Sequence, residues 1–128
     1  MIPEDLKYTR EHEWIKLEGE MATVGITEHA QKEMGDLVYV ELPAKGDQVE
    51  TGKPMGTVES VKAVSEVFAP VSGEVVEVNS LLLDQPEKIN EDPHGAGWMA
   101  RIKLAGKVDS SALMSAAEYR SFLEGEQD

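Results

Sequence analysis

The chain has 128 residues, 41% of them hydrophobic and 29% charged, with no cysteine. That length suits one domain, residues 1–128, with a core of its own, and the composition excludes disulfides, a thiol nucleophile and thiolate metal ligands. With 25 acidic residues against 12 basic, the formal net charge of −13 turns the surface away from nucleic acid and anionic membranes and toward partners with basic faces. No apolar run approaches the length that spans a bilayer. The opening Met1-Ile2-Pro3-Glu4-Asp5 has neither the basic nor the apolar region of a secretory signal, and it is too acidic for a transit peptide. The expected location is the cytoplasm of a bacterial-type host, or the mitochondrial matrix for a processed chain.

In chain order, Trp14–Leu17 and Met21–Ile26 alternate about a turn at Gly19 and predict a β-hairpin. Thr27 then stands as an N-cap before Glu28–Met34, with an early acid, a late lysine and Gly35 at the end, which outlines a short helix over 27–35. Leu37–Leu42 reads as a strand closed by Pro43, followed by a polar, glycine-punctuated stretch from Ala44 to Met55. Val71–Asn79 alternates around a turn, Leu81 opens a loop running to Pro93, and Trp98–Leu104 supplies a last strand. At the C-terminus, Ser115-Ala116-Ala117-Glu118 forms a capping box, with Tyr119, Phe122 and Leu123 at helical spacing. Asp109-Ser110-Ser111 is a candidate cap for an earlier turn containing Leu113 and Met114. Many short strands with few helices predict a mainly β sandwich or barrel.

Between the third strand and Val71 the sequence carries its most specific signal. Thr57-Val58-Glu59-Ser60 and Val64-Ser65-Glu66-Val67-Phe68 are two β-runs joined through Val61-Lys62-Ala63, a hairpin with a lysine at its tip. The junction has no Gly, Asn or Asp to relax a tight turn. A lysine raised on a rigid hairpin is an accessible amine suited to carrying a group. Taken alone, though, a lysine flanked by glutamate is more often a solvated side chain with a weak ion pair.

Self-contained catalysis finds little support. His12, His29 and His94 lack metal spacing, so a metal site is not expected, and Pro54 stands where a phosphate-binding loop after Gly52-Lys53 needs Ser or Thr. Neither a dinucleotide fingerprint nor a Gly-x-Ser-x-Gly elbow is present. Glu13 is chemically able to accept a charge-assisted hydrogen bond from an amine, but its local context favours a solvated glutamate at a strand start, with Trp14 as core.

Several stretches in fixed order resemble the H proteins of the glycine cleavage system. They are Tyr8–Trp14 (YTREHEW), Val24–Gln31, Gly35–Pro43, Glu59–Ala63 (ESVKA), Ala69–Asn79, Asn90–Pro93 and Gly97-Trp98. The resemblance implies a flattened antiparallel β-sandwich of the biotinyl/lipoyl-carrier type with additional helices. It implies a non-catalytic, monomeric carrier with lipoate in amide linkage on Lys62, installed by a lipoate-attaching enzyme. Three partners follow: a glycine decarboxylase (P protein), an aminomethyltransferase (T protein) and a dihydrolipoyl dehydrogenase (L protein). Glu59 and Ser60 are then candidates for recognition by the attaching enzyme. Glu13, with His12 and Glu66, is the candidate acceptor set for an aminomethyl-loaded arm folded into a cleft. Trp98, Leu42 and Val78 are assigned to the core. Two other readings stay open on the residues: an H-like lipoyl relay to other complexes, and an acidic adaptor whose lysine remains bare. A 2-oxoacid dehydrogenase lipoyl domain would carry Asp before the tip lysine, and a biotin carrier would carry Met on both sides.

Overall fold

The alternating segments at 13–26 form the first hairpin. β2 (Glu13–Glu18) pairs antiparallel with β3 (Met21–Ile26), and a short β1 (Lys7–Tyr8) adds to the outer edge of β2. The computed structural model describes residues 2–108 and 110–127. α1 (Glu28–Met34) follows, with the Thr27 hydroxyl accepting from Ala30 N–H and Gly35 at φ 82° ending it. Next come β4 (Leu37–Glu41), β5 (Gln48–Val49), β6 (Pro54–Ser60), β7 (Val64–Phe68) and β8 (Gly73–Val78). Two short helices, α2 (Leu81–Asp84) and α3 (Glu87–Glu91), lead to β9 (Ala100–Leu104). A 3₁₀ turn (Ser110–Ala112) precedes α4 (Ala116–Gln127).

The strands form two antiparallel sheets, one of six strands in the order β1-β2-β3-β9-β8-β5 and one of three in the order β4-β6-β7. Val24, Val75, Ala100 and Ile102 from the larger sheet and Val40, Val58 and Val67 from the smaller one share a single buried cluster. These are the inward positions of alternating strands, so the period-two pattern locates the core. A second cluster of Leu6, Tyr8, Trp14, Ala116 and Tyr119 docks α4 beside β1, where the Tyr8 and Tyr119 rings stack 4.6 Å apart. Gly25 stands opposite Trp14 in the β2–β3 ladder, and a Cβ there would meet the indole at 2.8 Å. Only a glycine lets that ring lie across the neighbouring strand.

Four sequence expectations are corrected. Residues 71–79 do not alternate around a turn: β8 runs unbroken from Gly73 to Val78, with a register shift between Val75 and Glu77 in its pairing to β9. The loop from Leu81 to Pro93 contains α2 and α3, anchored by fully buried Leu82 and Ile89. The last strand begins at Ala100, two residues after Trp98. Trp98, Leu42 and Val78 pack against the two clusters from their margins and are only half-buried, and Arg101 covers the Trp98 ring at 5.1 Å. The Ser115–Glu118 capping box forms as expected, Ser115 N–H donating to the Glu118 carboxylate at 2.8 Å and Glu118 N–H to the Ser115 hydroxyl at 3.2 Å. Of the earlier cap candidate, Asp109 lies outside the described residues.

Candidate functional site

The β6–β7 hairpin places Lys62 at its tip, fully outside the sandwich, with Val61 beside it 86% exposed. Its turn is built by Ser60. Ser60 N–H donates to the Ala63 carbonyl at 2.8 Å, and the Ser60 hydroxyl oxygen accepts from Lys62 N–H at 3.3 Å and Ala63 N–H at 3.2 Å. A two-residue hairpin turn of the favoured kind needs positive φ, but Val61 and Lys62 both keep negative φ. The serine side chain replaces the missing turn chemistry by supplying an acceptor to two N–H groups. Ser60 is accordingly only 4% exposed. Its geometry is that of a turn-builder behind the lysine.

Glu59 is half-buried and shares a rung across the smaller sheet with Tyr39 and Val64. Tyr39, Val64, Val38 and Val61 are all exposed, so the hairpin and the strand beside it carry apolar surface. Its stem lies back over the body of the protein: a Cβ placed on Gly35 would stand 3.6 Å from Lys62 Cε. Gly35 ends α1, whose last residues Glu33 and Met34 line an adjacent cleft.

That cleft, about 140 Å³, has apolar walls from Ile26, Ala30, Met34, Val58 and Val67. Glu11, His12, Glu13, Glu33 and Glu66 give it a negative polar rim. His12, Glu13 and Glu66, three of the residues singled out from sequence, are therefore brought together. Glu66 sits exposed on edge strand β7 at its lip. His12 adopts φ 69°, uncommon outside glycine, and is pinned there by His12 N–H to the Thr9 carbonyl (3.2 Å) and Thr27 N–H to the His12 carbonyl (3.0 Å). Its Nδ1 stands 2.8 Å from the Tyr119 hydroxyl, which is also 2.8 Å from the Thr27 hydroxyl, so α4 helps fix the ring.

Glu13 is not the solvated strand-start residue its local sequence suggests. It is 2% exposed, and its carboxylate accepts from the Thr9 hydroxyl at 2.6 Å and from Phe68 N–H at 3.4 Å. Burial is the dominant influence and pushes its pKa up to about 7, the two hydrogen bonds pulling the other way. Glu13 also lines a second cavity of about 410 Å³, shared with Thr9, Phe68 and Met114. A buried carboxyl with two fixed donors and an open side toward a cleft can accept an ammonium or amine N–H strongly.

Comparison with known proteins gives a consistent result. The family model described as "Glycine cleavage H-protein" matches residues 6–126. The chain is 57% identical over 126 residues to the glycine cleavage system H protein of Rubrobacter xylanophilus, covering 98% of both chains. It is 54% identical over 125 residues to that of Herpetosiphon aurantiacus, covering 98% of this chain and 95% of the other. The crystal structure of a glycine cleavage system H protein from Mycobacterium marinum superposes with a TM-score of 0.88 at 42% identity, covering 97% of this chain and 99% of that one.

Proposed function

The chain belongs to the glycine cleavage H-protein family, a carrier component and not a catalyst, and on that premise we propose that Lys62 bears lipoate in amide linkage. The observation that carries this reading is the placement of Lys62: an exposed amine on a two-stranded mast, with its stem lying toward a cleft of matching character. When bound, the lipoyl group supplies a disulfide that accepts two electrons and a sulfur that holds the aminomethyl group of glycine.

The chain's own residues hold and shelter that arm. Lysine plus lipoyl chain reach on the order of 14 Å from the backbone by ordinary bond lengths. Ser65, on the cleft wall, is three residues from Lys62 in the chain and so at most about 11 Å away. The arm therefore spans the distance either inward to the cleft or outward to a partner. Amide formation removes the lysine charge, so the arm's stem suits the apolar walls of Ile26, Ala30, Met34, Val58 and Val67. Glu13 would accept a hydrogen bond from an amine N–H carried by the arm into the cleft, with His12 and Glu66 beside it.

The partners of this reading are a glycine decarboxylase, an aminomethyltransferase, a dihydrolipoyl dehydrogenase and a lipoate-attaching enzyme. Tethering replaces free diffusion with a high local concentration of the arm at each docked partner. Reconstitution with lipoylated chain, the three enzymes, glycine, tetrahydrofolate and NAD is expected to give glycine-dependent NADH formation that Lys62→Arg abolishes. A lipoylated chain that supports no such reduction, beside a known carrier that does, would overturn the reading.

A further inference from the structure

Thr9 carries no role in the reading above, yet it holds Glu13 from both ends. Thr9 N–H donates to the Glu13 carbonyl at 3.0 Å, and Glu13 N–H donates to the Thr9 hydroxyl oxygen at 3.1 Å. Because that oxygen already accepts one N–H, its proton is directed elsewhere, and the short contact of 2.6 Å to Glu13 Oε1 shows where. The remaining Thr9 carbonyl accepts from His12 N–H, closing the loop that turns both cleft residues inward. Thr9 is itself 9% exposed, so water does not readily replace its hydroxyl.

We propose that Thr9 is a positioning residue of the carrier cleft, whose hydroxyl orients the Glu13 carboxyl and favours its charged form for the nitrogen of the loaded arm. This inference rests on the cleft reading of Glu13. The geometry gives Glu13 Oε1 to Thr9 and Oε2 to Phe68 N–H, two donors that favour the charged form against burial. The other ionisable groups on the walls of the two cavities are Glu11, which also favours the neutral form, Glu33, Glu66 and Glu118, His12, whose Nδ1 meets the Tyr119 hydroxyl, and Arg10.

The test is the titration of the Glu13 side-chain carboxyl carbon by NMR in the unmodified chain, compared across Thr9→Val, Thr9→Ser and the unsubstituted protein. The unsubstituted midpoint is expected near 7. Thr9→Val is expected to raise it by about one to two pH units, the worth of a hydrogen bond to a charged group, and Thr9→Ser to restore it. In lipoylated, aminomethyl-loaded protein, the pH at which adduct loss accelerates should move with that midpoint. If Thr9→Val does not fold, the unsubstituted chain still decides: the Thr9 hydroxyl proton must shift with the same midpoint as the Glu13 carboxyl. An unchanged midpoint in Thr9→Val, or a hydroxyl proton blind to Glu13, overturns the role of Thr9. A loss rate unaffected by Glu13→Gln overturns instead the cleft reading of Glu13, and the two failures are separable because the NMR midpoint does not depend on the arm.

Discussion

A carboxyl that titrates near 7 inside the fold alters stability as well as binding. Its ordinary value is 4.5, so between 4.5 and 7 the folded chain binds more protons at Glu13 than the unfolded chain does. The destabilisation is absent below 4.5, grows as pH rises through that window, and stays constant above it at on the order of 3 kcal/mol. Glu13→Gln removes the charge and keeps one acceptor oxygen, enough for the Thr9 hydroxyl or Phe68 N–H but not for both. In urea denaturation its stability relative to the unsubstituted chain is expected to rise by about 2–3 kcal/mol between pH 4 and pH 8. A difference that does not change with pH would show that Glu13 is not held in the buried site described. The comparison also separates binding from folding, because the variant gains stability while losing its grip on an amine. Sequence could name Glu13 but could not show its burial, which depends on β7 passing close enough to donate Phe68 N–H.

At the scale of elements, the hairpin of Lys62 was legible because two β-forming runs, 57–60 and 64–68, flank its tip closely enough to pair. Its turn was not legible from the tip residues, since the acceptor that builds it comes from Ser60, a strand residue whose hydroxyl reaches forward. Helices α2 and α3 were missed for a different reason. Four and five residues are too few for a 3.6-residue period to show, and these turns are held by tertiary contacts. Ile89 is buried in the main core, while Asn90 Nδ2 donates to Gly35 O and Gln31 Oε1, and Asn90 Oδ1 accepts from Leu37 N–H. α4 was legible by its capping box, but its link to the cleft was not. Tyr119→Phe removes the hydroxyl that meets both His12 and Thr27, and is expected to lower stability by about 1–3 kcal/mol. It should also broaden or shift the His12 ring resonances, which a substitution acting on α4 packing alone would leave in place. An unmoved His12 spectrum would show that the helix does not set that ring.

Taken whole, the molecule is a cysteine-free, acidic scaffold that projects one lysine from the smaller of two sheets. The net charge of −13 predicts that association with enzymes of basic docking face slows as salt screens it. The apparent KM for the lipoylated chain should therefore rise several-fold between low and physiological ionic strength while kcat changes little. Salt-independent kinetics would place recognition in the apolar surface around Val61 and Val64 instead. The central claim concerns the lysine itself. Intact mass spectrometry of the chain from its native host, with mapping of the peptide that holds Lys62, tests it most directly. One lipoyl group on Lys62, and on no other lysine, is the predicted result; a bare Lys62 in a host that lipoylates its other carriers would contradict it.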